Sequence, residues 1–237
     1  MISALFTDWP LVAELTRRDL KSRYVGSTLG VTWAVLQPLF LILIFTVVFS
    51  VLARAEFVGA DFPGRWHYSV YLCAGLLPWI AVSEILSRTA GQFLELANLI
   101  KKIAFRKAVL LWSVGIASWV TFLIAAALFF AFLGLIGHFR VGPLLCYLVI
   151  SALFLVFGVG LGAGAASLTA YLRDVKHIVT VGTQLWFWAT PIVWVASERM
   201  PAWLLCAEQF NPVYWYVHPI RWASPRTTVA CLRSRCA

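Results

Sequence analysis

Charge is what this sequence has least of. Only 12% of its residues are Asp, Glu, Lys or Arg, where a soluble domain carries about 25%. A full 62% of its 237 residues are hydrophobic, more apolar surface than a soluble core of that length could hide, so lipid must serve as the solvent. The motifs of chemistry are missing too. No G-x-x-x-x-G-K-[ST] loop is present to cradle a nucleoside triphosphate. H-E-x-x-H and G-x-S-x-G are absent, and Glu56, Asp61, Glu198 and Glu208 read as solvated acids, not as a catalytic pair. His67, His138, His177 and His218 are scattered. Cys73, Cys146, Cys206, Cys231 and Cys236 show neither C-x-x-C nor Cys/His spacing, which excludes a recognisable metal site. Three of these cysteines lie in or beside apolar segments, where cysteine acts as a small hydrophobe. A chain lacking acid, base, nucleophile and metal is not expected to be an enzyme. The first 28 residues contain no apolar h-region, so no cleavable signal is expected and the first span should direct insertion.

What is present are long apolar stretches: Leu29–Leu52, Tyr68–Leu86, Val109–Ile136, Val141–Leu172 and Ile178–Val195, with Glu84 as their only charge. About 20 apolar helical residues cross a bilayer core, so the fold class expected is all-α, a polytopic integral membrane bundle. The basic residues fall between alternate stretches. Arg17, Arg18, Lys21 and Arg23 precede the first; Lys101, Lys102, Arg106 and Lys107 follow the second; Arg173, Lys176 and His177 follow the fourth. On the opposite side Arg54, Glu56, Asp61 and Arg65 cancel. The positive-inside rule then puts the N-terminus in the cytoplasm. The net charge of +9 is thus a topology signal, and no nucleic-acid partner is expected. Ion-coupled transport needs ionisable groups near the midplane; none stands out, so the energy for any movement should come from a partner.

Four regions follow. Residues 1–28 read as an amphipathic cytoplasmic interface helix, capped by Thr7 or Asp8, with Pro10 in its first turn. Its polar face gathers Glu14, Arg17, Arg18 and Lys21, cations available to lipid phosphates, while Leu11, Val12, Leu15, Leu20 and Tyr24 cover the other face. Asp19 and Arg23 break into the apolar arc, four residues apart. A charged pair facing lipid tails is costly, so the pair is expected to dock against protein. Residues 29–196 form a five-helix transmembrane domain. Pro38 and Pro78 lie within its spans, Glu84 and Arg88 stand four apart, and Gly158, Gly160, Gly162 and Gly164 give two overlapping G-x-x-x-G spacings that permit close helix approach. Residues 197–221 should be short helices at the outer interface, with Trp203, Tyr214, Trp215 and Tyr216 at headgroup level. Residues 222–237 are an atypical basic tail.

Ordered blocks along the chain are more specific than composition. Leu15-Thr16-Arg17-Arg18-Asp19-Leu20-Lys21-Ser22-Arg23-Tyr24 leads through Ser27-Thr28-Leu29-Gly30, Trp33 and Pro38-Leu39 to Ile44-Phe45-Thr46-Val47-Val48-Phe49-Ser50. Gly75-Leu76-Leu77-Pro78-Trp79, Asn98-Leu99-Ile100-Lys101-Lys102, Tyr171-Leu172-Arg173-Asp174-Val175, Thr190-Pro191-Ile192 and Asn211-Pro212 follow in order. Over about Leu15 to Arg221 the chain resembles type-2 ABC transporter permeases that export polysaccharides, the O-antigen, capsule and teichoic acid exporters. The resemblance implies a permease homodimer in the bacterial inner membrane, a separate ATPase subunit that binds the ATP and Mg, no cofactor in this chain, and a lipid-linked glycan as cargo. It also implies a coupling helix between the second and third spans, here Leu94 to Phe105. Leu96, Leu99, Ile100 and Ile103 would be buried against the ATPase, with Asn98, Lys101 and Lys102 beside them. Arg173 and Asp174 would make a lesser contact of the same kind. Among twelve tryptophans, Trp33, Trp79, Trp186, Trp188 and Trp194 are candidates for glycan contact, or for anchoring in the aromatic belt. The departure is at the end: family members carry a sixth span after the Asn-Pro block, whereas the tail after Arg221 is too short to cross. The rival readings are a type-2 permease for drugs or lipids, and a truncated, non-transporting remnant.

Overall fold

A computed structural model describes residues 8–48, 67–96, 106–137, 141–193 and 210–222. Among the described residues there are seven α-helices and no strand: α1 Trp9–Ser22, α2 Trp33–Val47 (entered through a 3-10 turn, Gly30–Thr32), α3 His67–Glu95, α4 Ala108–Leu135, α5 Val141–Thr169, α6 Val175–Ala189 and α7 Pro212–Trp222. The all-α membrane bundle expected from composition is the architecture found. Among the described residues four helical stretches are long and apolar enough to cross a membrane: Gly30–Val47, Ser69–Glu95, Ala108–Leu135 and Val141–Thr169.

α1 starts where expected. Pro10 sits in the first turn, where its missing N–H leaves no bond unmade. Asp8 supplies the first accepting carbonyl, to the N–H groups of Leu11 and Val12 at 3.1 and 3.0 Å. Its side chain makes no capping bond; it faces Arg106 instead, at 3.8 Å. The helix gives way after Ser22 to a turn in which Gly26 takes a φ of 87°, a left-handed conformation that favours glycine.

α3 is the hub. It packs against α2, α4, α5, α6 and α7, and its side chains from Val70 to Ala90 are mostly buried. α5 shows its inner stripe at helical spacing: Tyr147, Ser151, Phe154, Gly158, Gly162, Ala166 and Thr169 are buried, while Val141, Leu145, Val149, Leu153 and Val156 are exposed. Of the two G-x-x-x-G pairs, only one faces a neighbour among the described residues. Gly158 lies against Val82 and Gly162 against Thr89, both on α3, whereas Gly160 and Gly164 look into open space.

The fifth expected span, Ile178–Val195, is interrupted. α6 ends at Ala189, and Thr190 is extended with φ −101° and ψ 137°, because the ring of Pro191 disfavours helix at the residue before it. Fifteen residues of helix reach only about 22 Å, short of the ~30 Å hydrocarbon core. Of the segment expected along the outer interface, only residues 210–221 are described. In α7, Val213 and Val217 are fully buried, and Tyr216 stacks on Phe154 of α5 with ring centroids 4.9 Å apart. Protein packing holds α7.

Candidate functional site at the basic end of the bundle

Arg106 at the start of α4 and Lys176 at the start of α6 lie where these helices meet the end of α3, and from there α1 packs along α4. Thr16 sends its hydroxyl to the Val12 carbonyl at 2.8 Å and toward the Ser113 carbonyl on α4 at 3.4 Å. Arg23 donates to the Thr121 hydroxyl at 3.3 Å, and Asp8 meets Arg106. These contacts advance along both helices together, so α1 runs beside the first half of α4 in the same direction. Val12 and Thr16 are buried there, while Arg17, Arg18 and Lys21 stay exposed.

The two charged pairs legible in the sequence merge into one cluster. Arg23 contacts Asp19 at 3.2 Å and Glu84 of α3 at 2.7 Å. Arg88 contacts Glu84 at 3.3 Å and, through both terminal nitrogens, Asp19. Two acids and two bases alternate, so each charge has two opposite neighbours and the cluster is neutral. All four side chains are between 17% and 32% exposed, too dry for a lone charge to sit without cost. Arginine suits the position because its planar fork can hold two carboxylates at once. Docking of Asp19 and Arg23 on protein is therefore found; their partners on α3 are what the sequence did not reveal. The available signal was that Asp19/Arg23 and Glu84/Arg88 are both acid-then-arginine pairs four residues apart, at matching depths.

Other ties cross the same end. Gln92 of α3 donates to the Leu110 carbonyl of α4 at 3.0 Å. Lys176 of α6 bonds Glu95, the last residue of α3, at 2.7 Å. Of the expected coupling residues, Leu96 is half-buried just past α3, its N–H bonded to the Gln92 carbonyl at 3.0 Å. Asn98, Leu99, Ile100, Lys101, Lys102 and Ile103 lie outside the described residues, as does Trp194. Arg173 and Asp174 are exposed in the link before α6, where the Asp174 carbonyl accepts from His177 and Ile178, both at 3.0 Å.

The tryptophans separate into two sets. Trp79 is buried and meets Trp186 edge to face, ring centroids 6.0 Å apart. The Trp186 indole donates to Asn211 at 2.9 Å, and the Asn211 amide donates to the Thr190 hydroxyl at 2.8 Å. The same Asn211 oxygen accepts from the Val213 N–H at 3.0 Å, capping α7. The Thr190-Pro191 and Asn211-Pro212 blocks thus form one joint that satisfies polar groups at a helix break, a condition for non-helical backbone at membrane depth. Trp33 and Trp188 keep exposed faces, at 41% and 65%; the Trp33 indole donates to Ser27 at 3.0 Å.

The cluster and the neighbouring ties form one connected network among the described residues. What it can do is carry displacement, because α1, α3, α4 and α6 are cross-tied within a few residues of the segment that joins α3 to α4. Residues 10–223 match the ABC-2 type transporter family. The O-antigen export system permease protein RfbA of Myxococcus xanthus is 28% identical over 197 residues, 83% of this chain and 73% of that protein. The protein of the same name from Klebsiella pneumoniae is 27% identical over 207 residues, 86% of this chain and 75% of its own length. With nearly its whole length matched, the chain belongs to the ABC-2 type transporter family.

Proposed function

We propose that this chain is the transmembrane permease subunit of an exporter that moves a lipid-linked polysaccharide across the inner membrane, two copies working with a separate ATPase subunit. The observation that carries the reading is the family match over residues 10–223, joined to relatives that are both O-antigen export permeases. On this reading the basic end faces the cytoplasm, and Leu94 to Phe105 seats in the ATPase, which binds the nucleotide and its magnesium and supplies the energy.

The ties at the basic end support a mechanical role for that segment. Its first residues belong to α3 and the turn after it, and Arg106 follows directly. A push there acts at once on Glu95, hence on Lys176 and α6; on Gln92, hence on α4; and on Arg88 and Glu84, hence on α1. Packed helices shift as rigid bodies more readily than they deform, so such a push would move the four together.

Deleting the gene in its host tests the reading. Surface glycan should disappear and lipid-linked glycan should accumulate on the cytoplasmic face, with restoration by the intact gene. Unchanged surface glycan together with altered sensitivity to drugs would overturn it in favour of drug or lipid transport.

A further inference from the structure

Between α1, the start of α2 and the first half of α4 lies a groove of about 400 Å³, within the size range of small-molecule sites. Ala34, Ile116, Val120 and Ile124 are part of its apolar lining, and Arg17, Lys21 and Tyr24 also line it. From Ile116 to Ile124 the groove follows α4 for about 12 Å, a bed of the right shape for a stretch of acyl chain. Arg17 and Lys21 are exposed and, unlike Arg23 and Arg88, pair with no carboxylate among the described residues. An apolar slot beside two uncompensated cations calls for a ligand with a hydrocarbon tail and a net negative head.

We propose that this groove holds one acyl chain of an anionic phospholipid of the surrounding leaflet, its phosphate resting between Arg17 and Lys21. A zwitterionic phospholipid fits less well, because its own ammonium group would approach the same two cations. The bound lipid is a resident of the fold, not the exported cargo. Thr121 lines the groove and also accepts the hydrogen bond from Arg23 at 3.3 Å, so the lipid braces α1 beside the four-charge cluster. This inference does not depend on which cargo the protein moves.

The test is native mass spectrometry of the full chain in mild detergent, titrated with phosphatidylglycerol or phosphatidylcholine. One phosphatidylglycerol should bind per chain about thirty-fold more tightly than phosphatidylcholine, the preference that two near-surface cations confer. Arg17→Gln with Lys21→Gln should abolish that preference. Val120→Phe, which fills the groove and leaves both cations in place, should prevent retention of either lipid. Arg18→Gln, exposed on the same helix but outside the groove, should change nothing. Equal binding of the two lipids, or an Arg18→Gln loss matching that of the Arg17/Lys21 pair, would overturn the site in favour of diffuse charge attraction. Displacement by equimolar undecaprenyl phosphate would assign the groove to a polyprenyl carrier instead. A chain dimer that excludes lipid and is lost in Val120→Phe would assign it to a second copy.

Discussion

α2 and α3 are both apolar helices interrupted by a proline, yet 78% of the spanning window of α3 is buried and only 17% of that of α2. Water cannot account for the contrast, because lipid tails are as apolar as leucine and exert no hydrophobic drive between helices. The difference is one of packing. α3 offers small and branched residues to neighbours on nearly every side, whereas α2 seats only Ala34, Ile42 and Thr46 and turns Leu39, Phe40, Leu43 and Ile44 outward. That outward face is available to lipid or to the second permease of the proposed dimer. Buried area within one chain therefore marks where the bundle is held, and apolarity alone does not.

The sharpest way to break this contrast is to push α5 off α3. A Cβ at position 162 would run into the Thr89 hydroxyl and lie 3.1 Å from its Cβ. Thr89 is wholly buried, its hydroxyl bonded to the Ile85 carbonyl at 2.6 Å, so it has nowhere to turn. Gly162→Val should cost about 3 kcal/mol, the upper part of the overpacking range. Gly160→Val, facing open space, should leave stability unchanged or slightly improved. Thermal unfolding of both variants in mild detergent decides it; equal losses would mean that the close approach at 162 is not what joins the helices.

A cavity gives the next largest effect. Ile85 is fully buried at the centre of α3 and Leu43 is 51% exposed on α2. In lipid or detergent the transfer part of a truncation largely vanishes and the lost packing remains. Ile85→Ala should therefore cost about 2 kcal/mol, at the low end of the range for soluble cores, and Leu43→Ala almost nothing in the single chain. If Leu43→Ala proves as harmful as Ile85→Ala, the outward face of α2 is buried against a second copy under the conditions of the measurement.

How much of this was legible in the sequence depends on the kind of signal. The apolar runs located four helices that can span, because length and hydropathy are local properties. The fifth run hid its break: Thr190-Pro191 was visible, but whether a proline kinks or ends a helix depends on its surroundings, and here Asn211 bonds the Trp186 and Thr190 side chains from a distant point in the chain. The two G-x-x-x-G pairs looked equivalent, and only rotation of α5 against α3 chose Gly158 and Gly162. Asp19 and Arg23 were readable as misplaced charges that needed protein, but pairing across 69 residues with Arg88 is a tertiary fact. Trp79 and Trp186 were readable as aromatic anchors; their engagement with each other and with Asn211 was not.

The charge cluster yields a smaller effect with a diagnostic pattern. Asp19→Asn leaves Arg23 and Arg88 sharing Glu84, one acid for two bases. Breaking buried pairs costs about 3–5 kcal/mol, but these side chains retain some solvent, so about 1.5 kcal/mol is expected. Arg23→Gln should cost a similar amount. The double variant leaves Glu84 and Arg88 as a balanced pair and should lose less than the sum of the singles. A double-mutant cycle in thermal stability measures this directly. Additive losses would mean that the charges act through separate partners.

The smallest effect is at the edge of the hub, where α3 ends. The Lys176–Glu95 bridge is 2.7 Å long, with side chains 44% and 63% exposed, and exposed pairs contribute about 0.5 kcal/mol that salt screens away. Glu95→Ala should lower stability by about that amount in low salt and by nothing measurable in high salt. Gly91→Ala separates the bridge from the helix beneath it. Its added Cβ would meet Lys176 Nζ at 2.8 Å and Glu95 Oε1 at 2.9 Å, the mobile ends of two long side chains, which can swing aside at the expense of the bridge. Against that loss, alanine in place of glycine inside a helix gains about 1 kcal/mol. The helix gain is the larger of the two, so Gly91→Ala should raise the unfolding temperature slightly even though it disrupts the contact, and the gain should grow as salt removes the bridge from the parent chain. A fall in stability, persisting at high salt, would show that Lys176 and Glu95 cannot move apart and that α6 is held to α3 more rigidly than two exposed side chains can explain.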